Sequence, residues 1–293
     1  MLINCVFKPI NIIDVLSQFL VILRSFLKSI KKQLIKYKSL NFMKLALVTG
    51  VTSGIGRATA IKLAENNFNL IITGRRSEML DALKLEIEVK YKRDVLALNF
   101  DIREKETVDK VIDALPERWR KIDVLVNNAG LAVGLNHIQE GDVDDWERML
   151  DTNIKGLLYI TRRVAPLMIE RGKGHIVNIG SIAGTQVYEN GNVYCASKHA
   201  VHALSQGMRQ DMLKHNIKVT EIRPGMVETE FSLVRFKGDK DKAKNTYQGL
   251  VPLFGEDVAD AVLYAITRPD HVCINDMEIT PTAQASANYV FRK

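Results

Sequence analysis

From Lys44 onward, short apolar runs alternate with longer segments in which apolar residues recur every three or four positions. The runs Leu45–Val48, Phe68–Thr73, Val95–Phe100, Ile122–Val126, 175–179, 218–222 and Cys273–Ile279 read as strands buried on both faces. Between them lie helical patterns. One starts at Gly56 and carries Ala58, Ile61, Leu63 and Ala64; Ser77–Lys90 places Leu80, Leu83 and Ile87 on one face. Further helices are expected over Glu104–Leu115, closed by Pro116, and over Asp144–Arg171, kinked or broken at Pro166. The last two are Val193–His215 and Val258–Ile266. Nearly all-apolar strands alternating with helices predict an α/β fold with right-handed crossovers. The expected architecture is a single doubly wound, Rossmann-type domain over residues 43–293, a parallel sheet of about seven strands with helices on both faces. Residues 226–255 form a long irregular insertion, and a loop of that length in a compact domain is expected to act as a lid.

Composition changes this picture little, but charge does. The chain has 293 residues, 46% of them hydrophobic, enough for a sizeable core. Its net charge of +7 resides mostly in residues 1–42, where Lys8, Arg24, Lys28, Lys31, Lys32, Lys36 and Lys38 face only Asp14. The rest is close to neutral, which argues against a nucleic-acid surface. Ile12, Leu16, Phe19, Leu23, Phe26, Leu27, Ile30 and Leu34 fall at helical spacing, so residues 1–42 read as a basic amphipathic extension able to lie on an anionic membrane. Its longest charge-free run, Val15–Leu23, is too short to span one. The other reading is that the natural chain starts at Met43, just ahead of the first strand. Three scattered cysteines, Cys5, Cys195 and Cys273, suggest a reducing, cytoplasmic compartment and show no metal-ligand spacing.

Candidate chemistry begins at the first strand-to-helix turn, Thr49-Gly50-Val51-Thr52-Ser53-Gly54-Ile55-Gly56. Glycines there let backbone approach a pyrophosphate, whose charge a helix N-terminus favours. Where an acidic residue would take the free ribose hydroxyls of NAD, the second strand ends in Arg75 and Arg76, donors suited to the 2′-phosphate of NADP. Asp101 and Ile102 follow the third strand; Asp101 is either an adenine contact or a helix N-cap. Asn127-Asn128-Ala129-Gly130 ends the fourth strand, as a close approach to cofactor or as a structural turn. Ser181 follows the apolar run Ile176–Ile179, and Tyr194 and Lys198 are one helical turn apart on one face. Such a serine facing such a pair can grip a carbonyl and pass it a proton, with the ammonium expected to favour the phenolate and lower the phenol's pKa.

Together these motifs resemble the short-chain dehydrogenase/reductase family, over Met43 to about Thr282: Thr49/Gly50/Gly54/Gly56, Asn127–Gly130, Asn153 in Asn153-Ile-Lys-Gly156, Ser181, and Tyr194/Lys198. The resemblance implies a catalytic tetrad of Asn153, Ser181, Tyr194 and Lys198. Asn153 is expected to carry a water that links Lys198 to solvent. It also implies cofactor contacts from Pro224, Gly225, Val227 and Thr229, and a homotetramer. The stretches Gly191–Tyr194, Glu228–Asp239, Thr246–Gln248 and His271–Asn275 further resemble the NADP-dependent 3-hydroxy acid dehydrogenases. Their substrates (serine, allo-threonine, malonic semialdehyde) carry a carboxylate, for which Arg235 in the lid is the candidate cation. Competing readings are a 3-ketoacyl or general carbonyl reductase, disfavoured by Asn275–Pro281 where a glycine-rich segment would stand, and a non-catalytic NADP-binding regulator, disfavoured by the complete tetrad.

Overall fold

The structure is a computed structural model that describes Leu20, Leu23, Arg24, Leu27, Lys28 and residues 44–293. Those five residues are helical; the rest of the expected amphipathic segment lies outside the described residues. Two compact units separate at Met43/Lys44. Among the described residues, no helix is long and apolar enough to cross a membrane.

The unit Lys44–Lys293 is an all-parallel sheet of seven strands in the order β3-β2-β1-β4-β5-β6-β7. The strands are β1 (Leu45–Thr49), β2 (Asn69–Gly74), β3 (Val95–Asn99), β4 (Val124–Asn127), β5 (Gly174–Ile179), β6 (Ile217–Pro224) and β7 (Asp276–Ile279). Successive side chains leave a strand on opposite faces, so β1 sends Ala46 and Val48 to one core and Leu45 and Leu47 to the other. The first core is closed by α1 (Gly54–Glu65), α2 (Ser77–Tyr91) and, at the far end of the chain, Val258 and Val262 of a helix over Gly255–Ile266. The second is closed by α3 (Lys105–Asp113) and by Ile160, Val164, Val201 and Met208 from later helices. Leu47, Leu70, Ile71, Ile72 and Leu125 are wholly buried, each worth about 1.5–3 kcal/mol relative to exposure. They make the central strands a rigid platform. The strand order reverses between β1 and β4, and doubly wound sheets bind ligands outside the strand ends at that reversal.

Three local expectations are corrected. The long helix over 144–171 breaks, but not at Pro166. It divides into α4 (Val143–Leu150), a wide π-type turn Asp151–Gly156, and α5 (Leu157–Glu170), which contains Pro166. Pro166 and Arg162 are both exposed, so water can take the carbonyl that Pro166 leaves unpaired. After α6 (Asn192–Met212), the 226–255 insertion is not wholly irregular. It holds α7 (Phe231–Arg235) and α8 (Lys240–Asn245) before α9 (Gly255–Ile266). The last strand starts at Asp276, where pairing with Glu221 begins, three residues later than expected.

Candidate active site

A cavity of about 640 Å³ opens at the carboxyl ends of the strands. Its floor on the β1 side is the glycine turn. Thr49 Oγ1 accepts from the backbone N–H groups of Asn128 and Ala129, both at 3.0 Å, and Asn128 Nδ2 donates to Thr49 O and Gly50 O at 2.8 and 3.0 Å. The Asn127–Gly130 segment is thus both a structural turn and a cavity wall. Gly54 has φ +54° and Thr229 sits directly above it, so a side chain there would be strained and crowded. Gly56 does not line the cavity. It is buried behind the wall, where a Cβ would stand 2.3 Å from both Gly50 O and Asn128 Nδ2. Its role is to bring α1 against the turn.

The residues present fit a dinucleotide phosphate. The first turn of α1 has neither a side-chain cap from Ser53 nor an acidic residue, so its N–H groups and dipole are left to meet an anion. Arg76 lays Nε and Nη2 on Thr52 Oγ1 at 3.1 and 3.0 Å and pairs with Glu230 at 3.0 Å. Arg75 lies 3.6 Å from Asp101 and is 57% exposed, able to swing onto a ligand. Asp101 is not the N-cap of α3, which is Glu104. Its burial works against its charge, but the forked and backbone hydrogen bonds from Arg103, with the charges of Arg103 and Arg75, together outweigh this and hold its carboxyl below the ordinary range. Asp101, Ile102, Pro224, Gly225, Val227 and Thr229 all line the cavity.

The chemistry-bearing groups meet where β5 and α6 converge. Ser181 follows β5 with extended backbone, and its Oγ accepts from Ala183 N at 3.1 Å. Lys198, one helical turn after Tyr194 on α6, donates from Nζ to Ile179 O at 2.9 Å. Burial pulls its ammonium down to about 8, partly opposed by the carboxylate of Glu221. Tyr194 behaves oppositely to expectation. Burial, reinforced by Tyr188, drives its phenol well above the ordinary value, while Arg235 and Ser181 pull the other way without prevailing. At this site the desolvation of the buried phenolate outweighs the pull of Arg235. Asn153 lies in the π-type turn, off the cavity wall. Both its amide hydrogens are used, on Leu131 O at 2.8 Å and Ser197 Oγ at 3.0 Å, and its Oδ1 accepts from Leu131 N. Its side chain thereby ties the 131 loop to α6.

Arg235, at the end of α7, lies with its guanidinium 5.2 Å from the ring centre of Tyr194, 5.4 Å from Tyr188 and 5.7 Å from Phe231. One Nη donates to Tyr188 Oη, and Nε is buried without a partner. Tyr188, Phe231, Gln284, Val290 and Arg292 also line the cavity and were not anticipated; nothing in their local pattern marks them. A further unanticipated group lies behind the site. Glu221 is fully buried and accepts from His202 Nδ1 at 2.6 Å. With Asp276 these residues form a metal-like cluster that no sequence spacing reveals, but Arg223 already stands 3.0 Å from Asp276.

The family model for short chain dehydrogenase matches residues 44–239. The chain belongs to the short-chain dehydrogenase family. NADP-dependent 3-hydroxy acid dehydrogenase YdfG of Salmonella typhi is 48% identical over 244 residues, covering 83% of this chain and 97% of that one. Sulfoacetaldehyde reductase 2 of Chromohalobacter salexigens is 44% identical, covering 82% and 95%. The solved closed form of serine dehydrogenase complexed with NADP+ superposes with a TM-score of 0.79 at 43% identity, covering 85% of this chain and 99% of that one. The glycine turn, the end of β5 and α6 of this chain face one cavity.

Proposed function

We propose that this short-chain dehydrogenase moves a hydride between NADP(H) and a small 3-hydroxy acid or its matching carbonyl compound, of the serine, allo-threonine or malonic semialdehyde type. The observation that carries the substrate class is Arg235, a guanidinium in the cavity wall stacked on Tyr194. A carboxylate on the substrate would pair with it through a charge-assisted bond. NADP, when bound, supplies the hydride donor or acceptor. The glycine turn from Gly50 to Ile55 and the first turn of α1 would hold its pyrophosphate, and Arg75 and Arg76 its 2′-phosphate. Asp101 and Ile102 would border the adenine. Asn128, Ala129, Gly130, Pro224, Gly225, Val227 and Thr229 would border the nicotinamide half. Lys198 keeps two N–H groups beyond its bond to Ile179, enough to grip a ribose.

Tyr194 and Ser181 then act on the substrate oxygen. In reduction, the protonated phenol donates to the carbonyl oxygen while Ser181 Oγ hydrogen-bonds it. In oxidation, Tyr194 takes the alcohol proton, with Arg235 and Ser181 as the groups that favour its anion. A screen of NADP reduction over 3-hydroxy acids and neutral alcohols of equal size tests this reading. Arg235→Ala should raise KM for the acids roughly tenfold or more, the loss of a charge-assisted bond, and leave KM for neutral alcohols alone, while any fall in kcat from the lost pull on the Tyr194 phenol should be common to both. Equal effects on KM for both would refute the assignment. Sulfoacetaldehyde belongs in the same screen, because a sulfonate suits the same guanidinium. We further propose a homotetramer in the cytoplasm. The family resemblance motivates the assembly and the free thiols of Cys195 and Cys273 fit a reducing compartment; light scattering reporting a monomer would overturn the assembly.

A further inference from the structure

The segment Gln284–Lys293 has no assigned role, yet it is bonded to both structures that hold Arg235. At one end, Ala287 N donates to Gln186 Oε1 at 2.7 Å and Asn288 Nδ2 to Val187 O at 3.0 Å. The next residue is Tyr188, whose hydroxyl receives Arg235. At the other end, Arg292 donates to Gln248 O at 2.5 Å and Thr246 O at 3.0 Å, and Lys293 N donates to Gly249 O at 2.9 Å. Those carbonyls bracket Tyr247, whose hydroxyl bonds Val227 O at 2.8 Å and Ser232 Oγ at 2.7 Å. Ser232 lies in α7, the helix that ends at Arg235. Phe291 N closes the segment on itself at Ala283 O, 2.8 Å away.

We propose that Gln284–Lys293 is a brace that presets the substrate-binding arginine, and that Arg292 is a positioning residue acting through Arg235. The physical need is plain. A five-residue helix has almost no stability of its own, so α7 must be held by its neighbours. An arginine side chain has many rotamers, and fixing it before substrate arrives spares that loss on binding. The stack on three rings fixes the guanidinium face; the brace fixes where the helix and Tyr188 stand. Both strands of contact converge on the same side chain from opposite ends of one ten-residue segment.

The inference rests on the carboxylate reading of Arg235 given above, and the test separates the two. Steady-state kinetics are measured for Arg292→Ala, Arg292→Lys, Arg235→Ala and the Arg235→Ala/Arg292→Ala double variant, on a 3-hydroxy acid and on a neutral alcohol of equal size. NADPH binding, followed by its fluorescence, checks that each variant is folded. Arg292→Ala should raise KM for the acid about fivefold, with kcat, KM for NADP and the neutral alcohol within about twofold. Arg292→Lys should recover part of the loss, since an ammonium can still donate to a carbonyl. In the Arg235→Ala background, Arg292→Ala should add nothing, because the two act as one unit. An additive loss, or equal loss on the neutral alcohol, overturns the brace while sparing the Arg235 assignment. No effect of Arg235→Ala on the acid overturns both.

Discussion

The two sides of the cavity are built in opposite ways. The β1 side is held by buried, short bonds to backbone: Thr49 Oγ1 and Asn128 Nδ2 tie two strand ends together within 3.0 Å. Thr49 is wholly buried, so deleting its hydroxyl, which serves both N–H groups, should cost about 1–3 kcal/mol. The substrate side is a cover assembled from the 185–190 loop, the 226–255 insertion and the segment 284–293. Its bonds link residues as far as 101 positions apart, and several end on exposed groups such as Asn288, Gln248 and Arg292. Bonds of that kind are individually weak, and segments with few buried contacts open at low cost. A rigid wall suits a cofactor of fixed shape. A jointed cover suits a substrate that must enter and leave, and it can change its preference without disturbing the hydride chemistry. Tyr194 and Lys198, the proposed catalytic pair, stand on α6 between them.

The largest expected effect tests whether chemistry really belongs to that middle element and not to the cover. Tyr194→Phe removes the hydroxyl proposed to pass the proton beside Ser181 on the cavity wall. It should lower kcat about 10²–10⁴-fold, the usual contribution of a positioned acid or base. NADPH binding should stay within about twofold, because the glycine turn and Arg76 are untouched. Near-normal turnover would move the chemistry elsewhere and break the comparison. The wild-type enzyme carries a related pH signature. The Tyr194 phenol is raised, so its anion is scarce at neutral pH. Oxidation of the hydroxy acid should therefore accelerate as pH rises from 7 to 9, whereas reduction, which uses the protonated form, should not.

How much of this was legible in the sequence follows the same division. The rigid side could be read because its signals are local: apolar runs for strands, glycines at a strand-to-helix turn, and a four-residue spacing that puts Tyr194 and Lys198 on one helical face. The cover could not, because its contacts join distant segments through residues with no special type. Gln186, Asn288 and Arg292 are ordinary surface polar residues until the fold brings them together. Arg235 was reached through resemblance and the need for a cation; its stacking on Tyr194 and its orphaned Nε are tertiary facts. The direction of the Tyr194 shift was misread for a similar reason. A neighbouring ammonium is visible as a spacing, whereas desolvation depends on everything that encloses the ring. Asp101 is not the helix cap its position also allowed; it lines the cavity and seats Arg103, a partner that only the fold reveals. The break at Asp151–Gly156 arose with no glycine or proline before its last residue, so pattern pointed to Pro166 instead.

A smaller effect sharpens the comparison from the cofactor side. Arg76 is 44% exposed and shares its guanidinium between Thr52 Oγ1 and Glu230. Thr52 belongs to the glycine turn, and Glu230 to the insertion just before α7, so Arg76 is one point where the rigid wall meets the cover. If its main work is to bind a 2′-phosphate, Arg76→Ala should lower kcat/KM for NADP about 10–100-fold, the scale of a lost charge-assisted pair. It should leave kcat/KM for NAD, which lacks that phosphate, within about threefold. The preference for acids over neutral alcohols should not change, because Arg235 and its rings keep their neighbours. If its main work is instead to latch the insertion through Glu230, the two cofactors should suffer alike, and Glu230→Gln should reproduce the loss. An exposed ion pair is worth little by itself, so the first outcome is the expected one. It would leave cofactor choice on the rigid wall and substrate choice on the cover.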